Sequence, residues 1–228
     1  RISAAELVQE PFPHIYVEQV FPDDFYAQMR AHLPARDTYV PLRDTGRVGI
    51  GYSSERLVLL PNSASLQSLA PHLAAFWHGL FSNLLTENFA HAVMTRFADP
   101  IAARFVASGS VADQEIFVTW ESFLIRDRAR YSLGPHTDSP KKLVSMLFYL
   151  ADEHADPELG TSLYAPREPG FECNGGPHYD FEGFERLRTM AYAANCLFAF
   201  PKSNRCFHGV EPVADAMERD LLFFDLRN

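Results

Sequence analysis

The second half of the chain most constrains the fold. After about Asp113, six short aromatic and β-branched runs follow one another: Glu115–Arg126, Leu143–Leu150, Ser162–Tyr164, Ala191–Phe200, Cys206–Val210 and Arg219–Leu226. Polar or Gly/Pro turns separate them, and that rhythm is the signature of a β-sandwich or barrel. The first half reads as mixed α/β. His14–Val20 has a strand pattern, and Pro22-Asp23-Asp24 then opens a helix with Phe25, Met29 and Leu33 on one face and Pro34 as its stop. Residues 35–62 read as short strands and turns. From Ser63 to about Ala98, Leu66, Leu69, Leu73, Trp77, Leu80 and Leu84 recur every three or four residues, the spacing of a buried helical stripe. Pro71 suits the first turn of a second helix and Thr86 the cap of a third.

Composition narrows the class of partner. At 228 residues, 47% of them hydrophobic and 13% aromatic, the chain has ample material for a packed core. Its net charge of −9 makes nucleic acid a poor partner, because that binding depends on neutralising phosphates. The longest apolar stretch, Leu143 to Ala151 with Ser145 inside it, falls far short of the ~20 residues that cross a bilayer. Cys173, Cys196 and Cys206 are too few and too irregular for a disulfide framework or a zinc knuckle, so they are expected as reduced thiols. With no signal-peptide pattern at its start, the protein is expected to be soluble and cytoplasmic.

Segment 151–190 reads as an insert, acidic at first (Asp152, Glu153, Asp156, Glu158) and then rich in Gly and Pro. A connection of this length is a lid or binding loop, carrying Tyr164, Arg167, His178 and Tyr179, or a solvated excursion. Gly46, Gly49 and Gly51 do not open a helix in a βαβ unit, so a dinucleotide-binding or P-loop reading fails. No nucleophile-elbow pattern supports Ser-His-Asp catalysis.

Nine histidines invite a search for metal ligands, and three His-x-Asp patterns answer it: His136-Thr-Asp138, His154-Ala-Asp156 and His178-Tyr-Asp180. This spacing at a strand end points two metal-binding groups the same way. Only His136-Thr-Asp138 lies between two strand patterns, where a sheet can hold ligand geometry. His208 follows within Cys206-Phe-His-Gly-Val, and Arg219 comes eleven residues later at the start of the last strand.

His136-Thr-Asp138, the distant His208 and Arg219 together resemble the Fe(II)- and 2-oxoglutarate-dependent oxygenases, in particular their prolyl-hydroxylase-like branch. The stretch PHTDSPKKLVSMLFYL and the N-terminal PFPHIYVEQVFPDDFYAQM carry the same likeness, which is clear over about 115–226. Leu221 departs from the Arg-x-Ser found in many members, and a Tyr seen upstream of the metal pair in some is replaced near Arg126. The resemblance implies a double-stranded β-helix (jelly-roll) core over 115–228 with N-terminal helices packed on it. Residues 1–228 then form a single oxygenase domain in which 1–114 is an α/β support. It implies Fe(II) held by His136, Asp138 and His208, with 2-oxoglutarate and O2 as cosubstrates and Arg219, helped by Tyr149, on the far carboxylate of 2-oxoglutarate. Hydroxylation of a C–H bond is the implied reaction, since halogenating members usually lack the carboxylate that Asp138 supplies.

Physical chemistry agrees with that ligand set. Two imidazoles and one carboxylate on one face of the ion are the facial triad of non-haem iron, leaving open positions for a bidentate 2-oxo acid and O2. A planar guanidinium suits a carboxylate better than an ammonium does. Period-2 alternation puts Arg219, Leu221 and Phe223 on one strand face, and a buried Arg there requires an anionic partner. Arg126, Arg128, Arg130, Lys141 and Lys142 form a basic island around the metal pair, or merely the solvent faces of strands and a loop. The island points to a small anionic or zwitterionic substrate, with Arg126, Tyr131, Lys141 and Tyr164 as candidate contacts. The rival readings are a cupin-like jelly-roll metalloenzyme or sugar-binding protein that uses no 2-oxoglutarate, and a binding protein on a degenerate oxygenase fold. Oligomeric state is not legible.

Overall fold

A computed structural model describes residues 1–49, 51–83, 86–109, 117–214 and 217–228. The texture change near Asp113, the strand start at Glu115 and the helix position Leu84 lie outside the described residues. In chain order the elements are β1 (Ile15–Val17), α1 (Asp23–Ala31), β2 (Val40–Pro41), β3 (Arg56–Leu59), α2 (Ala64–Gln67), α3 (Pro71–Asn83), α4 (Glu87–Arg96) and α5 (Ala98–Ala107). Then follow β4 (Thr119–Asp127), β5 (Leu133–His136), β6 (Lys142–Leu150), β7 (Thr161–Pro166), β8 (Phe184–Met190), β9 (Ala194–Pro201), β10 (His208–Val210) and β11 (Arg219–Arg227).

The apolar runs of the sequence become β4, β6, β9 and β11, the centre of an antiparallel sheet ordered β1-β9-β6-β11-β4-β3-β2. A smaller antiparallel sheet is ordered β5-β10-β7-β8. Side chains alternate across each strand, and both faces of the large sheet are covered. Leu221 and Phe223 of β11 join Phe123, Leu147, Leu163 and Val210 in the core between the sheets. Leu222, Phe224 and Leu226 point the other way, into a second core with Trp77, Val93, Phe97 and Ile101 of the helices. This is the jelly roll with helices packed on it that the resemblance implies. Because both faces are buried, these strands read as unbroken apolar runs.

Local signals in the first half set the helix ends. The Ser63 and Thr86 side chains accept hydrogen bonds from Leu66 and Phe89 N–H, capping α2 and α4. Helical structure continues past Ala98 to Ala107. Pro100 sits in the first turn of α5, where its missing N–H breaks no helical bond. Among the described residues, no helix is long and apolar enough to cross a membrane.

The 151–190 insert is corrected. It supplies β7 and β8, half of the small sheet, while 151–160 and 167–183 lie outside the strands and carry two short 3-10 turns. β8 escapes pattern reading because it is a sheet edge. Its Glu185, Arg186, Leu187 and Arg188 are exposed, and charge along an edge deters pairing with other chains.

Candidate active site

His136 ends β5 and His208 begins β10, and the two are direct cross-strand partners. Their rings lie 4.3 Å apart, and Asp138 follows two residues past His136. One ligand atom from each of the three lies within 4.8 Å of the others, and all three residues are buried. The Nδ1 of His136 contacts Gly134 O at 3.0 Å and that of His208 contacts Cys206 O at 2.9 Å. A carbonyl only accepts, so each proton sits on Nδ1 and each Nε2 lone pair is bare. Burial, reinforced at His136 by the neighbouring His208 ring, pushes both imidazoles below their ordinary pKa. Burial alone would raise the Asp138 carboxyl, but the Lys142 ammonium and the two imidazoles outweigh it and hold it well below the usual carboxylate range. The donor set is therefore two neutral imidazoles and a carboxylate, in the protonation states a divalent cation needs.

Asp138 is held from behind. Lys142 Nζ donates to Oδ1 at 2.8 Å and Ser145 Oγ to Oδ2 at 2.6 Å. Lys142 also lies 3.6 Å from Asp225, so the ammonium bridges two carboxylates. Orienting bonds of this kind fix a ligand before the metal arrives.

The triad opens onto a cavity of about 440 Å³ between the sheets. Leu147, Phe223, Phe200 and Val210 line its middle. At the mouth stand Arg47, Lys141 and Arg227, with Glu121 between the two arginines and paired with each. At the far end, one cross-strand rung places Arg56 of β3, Asp127 of β4 and Arg219 of β11 side by side. Arg56 lines the cavity, and so does Thr161, whose Oγ1 accepts from Arg219 Nη2 at 3.1 Å.

The structure brings some expected site residues together and separates others. Arg219 is fully buried behind Thr161, and its partner is Asp127 at 2.6 Å rather than a ligand alone. Tyr149 packs under the Arg219 guanidinium and donates to Thr161 Oγ1, so it reaches the cavity through Thr161. Lys141 is exposed at the mouth. Arg126, expected beside the substrate, faces the helix side of the sheet and is paired with Asp220 at 2.7 Å. Its strand position is one out of step with the inward-facing Ile125 and Asp127. Tyr164 also points away from the cavity, packing against Phe181 and donating to Glu211. Tyr131 is fully buried beneath Arg56, and its hydroxyl meets that of Tyr52 at 3.0 Å. His178 does reach the site: it lines the cavity with its ring 4.7 Å from His136, yet it is not one of the three clustered ligands. Asp156 of the remaining His-x-Asp pattern caps a short 3-10 turn at the surface.

Sequence reasoning missed Tyr52, Arg56, Asp127, Ser145 and Thr161. For Ser145 and Asp127 a signal existed, since each is a polar residue at an inward position of an apolar strand. Arg56 carried none, because only the pairing of β3 with β4 brings it to the rung.

Close packing against β5, just before the metal pair, constrains one glycine. A Cβ on Gly134 would lie 2.1 Å from Tyr179 O, a backbone atom of the segment that carries His178. Gly134→Ala is expected to cost about 1–3 kcal/mol of stability and to weaken metal binding, because Gly134 O also orients His136. Urea midpoints and Mn(II) titration check both effects.

No protein-family model matches the chain, and no curated protein matches it in sequence. Solved structures do. A prolyl-4-hydroxylase from Pseudomonas putida aligns at a TM-score of 0.56 and 16% identity, over 94% of this chain and 92% of its own. A prolyl hydroxylase from Trichoplax adhaerens, in complex with a hypoxia inducible factor peptide, aligns at 0.53 and 11%, over 94% and 83%. A 2OG-Fe(II) oxygenase family oxidoreductase from Burkholderia pseudomallei aligns at 0.50 and 15%, over 94% and 84%. The chain has the 2OG-Fe(II) oxygenase fold. In this fold's arrangement here, both histidines come from the small sheet and Asp138 from the turn leading to β6 of the large one.

Proposed function

We propose that the protein is an Fe(II)- and 2-oxoglutarate-dependent oxygenase that hydroxylates a C–H bond of a small anionic or zwitterionic molecule. One observation carries the reading: a buried His-Asp-His cluster and an arginine-bearing rung face the same cavity. Thr161 lies two residues along β7 from Leu163, the cross-strand partner of His208. Two residues of strand span roughly 7 Å, about the length of a five-carbon diacid. A group chelating a metal at the triad thus has its far end at the arginines.

His136, Asp138 and His208 would hold the ion. With 2-oxoglutarate and O2 it supplies the oxidising power for attack on an unactivated C–H bond. Lys142 and Ser145 keep the Asp138 carboxylate aimed, while Leu147, Phe200 and Phe223 keep bulk water off the reacting groups. At the mouth Arg47 and Arg227 share Glu121, and the exposed Lys141 adds the cation that favours an anion there despite the chain's net negative charge. The cupin-like rival is disfavoured, since such sites usually take more histidines plus a glutamate.

Succinate release with Fe(II), 2-oxoglutarate and a panel of small acids and amino acids tests the reaction. Absence of succinate across the panel would overturn it, and chlorinated product formed with chloride present would overturn hydroxylation. Lys141→Ala tests the substrate charge: the substrate KM is expected to rise roughly threefold to tenfold at low salt, with the difference fading at high salt and kcat unchanged. An unchanged KM at both salts eliminates the anionic reading.

A further inference from the structure

We infer that Arg56, on a strand that precedes the jelly-roll core, is a second binding cation for the far carboxylate of the 2-oxo diacid, completing a two-arginine clamp with Arg219. The inference rests on the function proposed above.

The charge count on the inner rung is uneven. Asp127 is fully buried and accepts from Arg56 Nε at 2.7 Å and Nη2 at 2.8 Å. The same carboxylate accepts from Arg219 Nη1 at 2.6 Å. Among the described residues no other carboxylate touches either guanidinium, so two cations share one anion. The neighbouring hydroxyls do not close the gap. Tyr131, beneath Arg56, stays protonated, its pKa raised first by burial. A buried unbalanced charge is costly, and an incoming carboxylate removes the imbalance.

Donors remain for that carboxylate. Arg219 Nε is buried with no hydrogen-bond partner. Arg56 Nη1 has only a long contact of 3.5 Å to Tyr52 Oη. Arg56 and Thr161 both line the cavity, whereas Arg219 is reached behind Thr161. A diacid entering from the metal therefore meets Arg56 and the Thr161 hydroxyl at its far end, with Arg219 behind them. Asp127 acts as a positioning residue, since it fixes both guanidiniums in one plane of the sheet.

The test is calorimetric binding to the Mn(II)-loaded full chain, comparing wild type, Arg56→Met and Arg219→Met. The ligands are 2-oxoglutarate and 2-oxopentanoate, which has the same chain but a methyl in place of the second carboxylate. Either variant retains one cation and one anion on the rung, so both are expected to fold. Methionine also keeps an apolar stem over the Tyr131 ring. The inference expects Arg56→Met to weaken 2-oxoglutarate roughly 100-fold while changing 2-oxopentanoate less than threefold. An Arg56→Met protein that binds 2-oxoglutarate within threefold of wild type overturns it, and so does equal weakening of both acids, which marks a change of cavity shape. Wild-type protein that binds neither acid overturns the proposed function and the inference with it. If wild type prefers 2-oxoglutarate and only Arg219→Met loses that preference, the function stands and the role of Arg56 falls.

Discussion

Asp138→Ala is expected to abolish metal-dependent 2-oxoglutarate turnover, with a loss on the order of a thousandfold or more. Asp138 supplies the only carboxylate of the ligand cluster, and two neutral imidazoles hold a divalent cation far less firmly than the complete triad. The fold should survive the substitution. Lys142 keeps Asp225 at 3.6 Å as a partner, so removing Asp138 does not strand the ammonium. The variant thus separates chemistry from stability. In wild type, Mn(II) is expected to raise the melting temperature through linkage, because the ion binds only the folded triad. In Asp138→Ala that increment disappears. The metal-free melting temperature falls modestly, because the Lys142-paired carboxylate also stabilises the fold, so the metal increment and not the absolute melting temperature is the readout. Ser145→Ala is the graded companion: it removes one of two hydrogen bonds that aim the carboxylate and is expected to cost about 10–100-fold in metal affinity. A full Mn(II) shift retained by Asp138→Ala would place the metal elsewhere.

The fold and the metal cluster were largely legible because they rest on local pattern. The apolar runs that became β4, β6, β9 and β11 announce themselves by length and composition, and Thr86 and Pro71 mark helix starts by their own chemistry. His136 and Asp138 are close in sequence, and only His208 had to be supplied by topology. What failed was anything decided by strand parity or non-local pairing. Arg126 and Asp127 are neighbours in sequence and opposite in face, and a one-residue difference sends Arg126 to the helix side and Asp127 inward, between Arg56 and Arg219. Tyr164 was misplaced for a related reason. Tyr164 is one step out of phase with Thr161 and Leu163, which face inward, so alternation along β7 puts it on the opposite face with Phe184 and Phe207. Arg219 was expected to need a ligand as its partner because nothing in the sequence ties it to Asp127, 92 residues earlier.

That pairing gives the strongest expectation for stability. Asp127→Asn keeps the side-chain shape and removes only the charge, leaving Arg56 and Arg219 on one buried rung with no anion between them. Breaking a buried ion pair by deleting one partner costs about 3–5 kcal/mol. Against a total stability of about 5–15 kcal/mol this is a large fraction, and for a chain of this size it lowers the melting temperature by about 10 °C. Arg56→Met behaves oppositely in the ligand-free protein: it leaves Asp127 paired with Arg219 in a neutral set, so its loss is limited to packing over Tyr131. The two substitutions remove opposite charges from one rung, and only a rung with a surplus cation makes their effects so unequal. The ligand response then discriminates further. Saturating 2-oxoglutarate with Mn(II) is expected to recover more stability in Asp127→Asn than in wild type, because the diacid brings the missing carboxylate to both guanidiniums. Urea unfolding with unchanged slope reads the first effect, and melting with and without the diacid reads the second. A loss under 1 kcal/mol in Asp127→Asn, or a ligand increment equal to wild type, would show that solvent or another group balances the rung, and the charge argument for the clamp would fail with it.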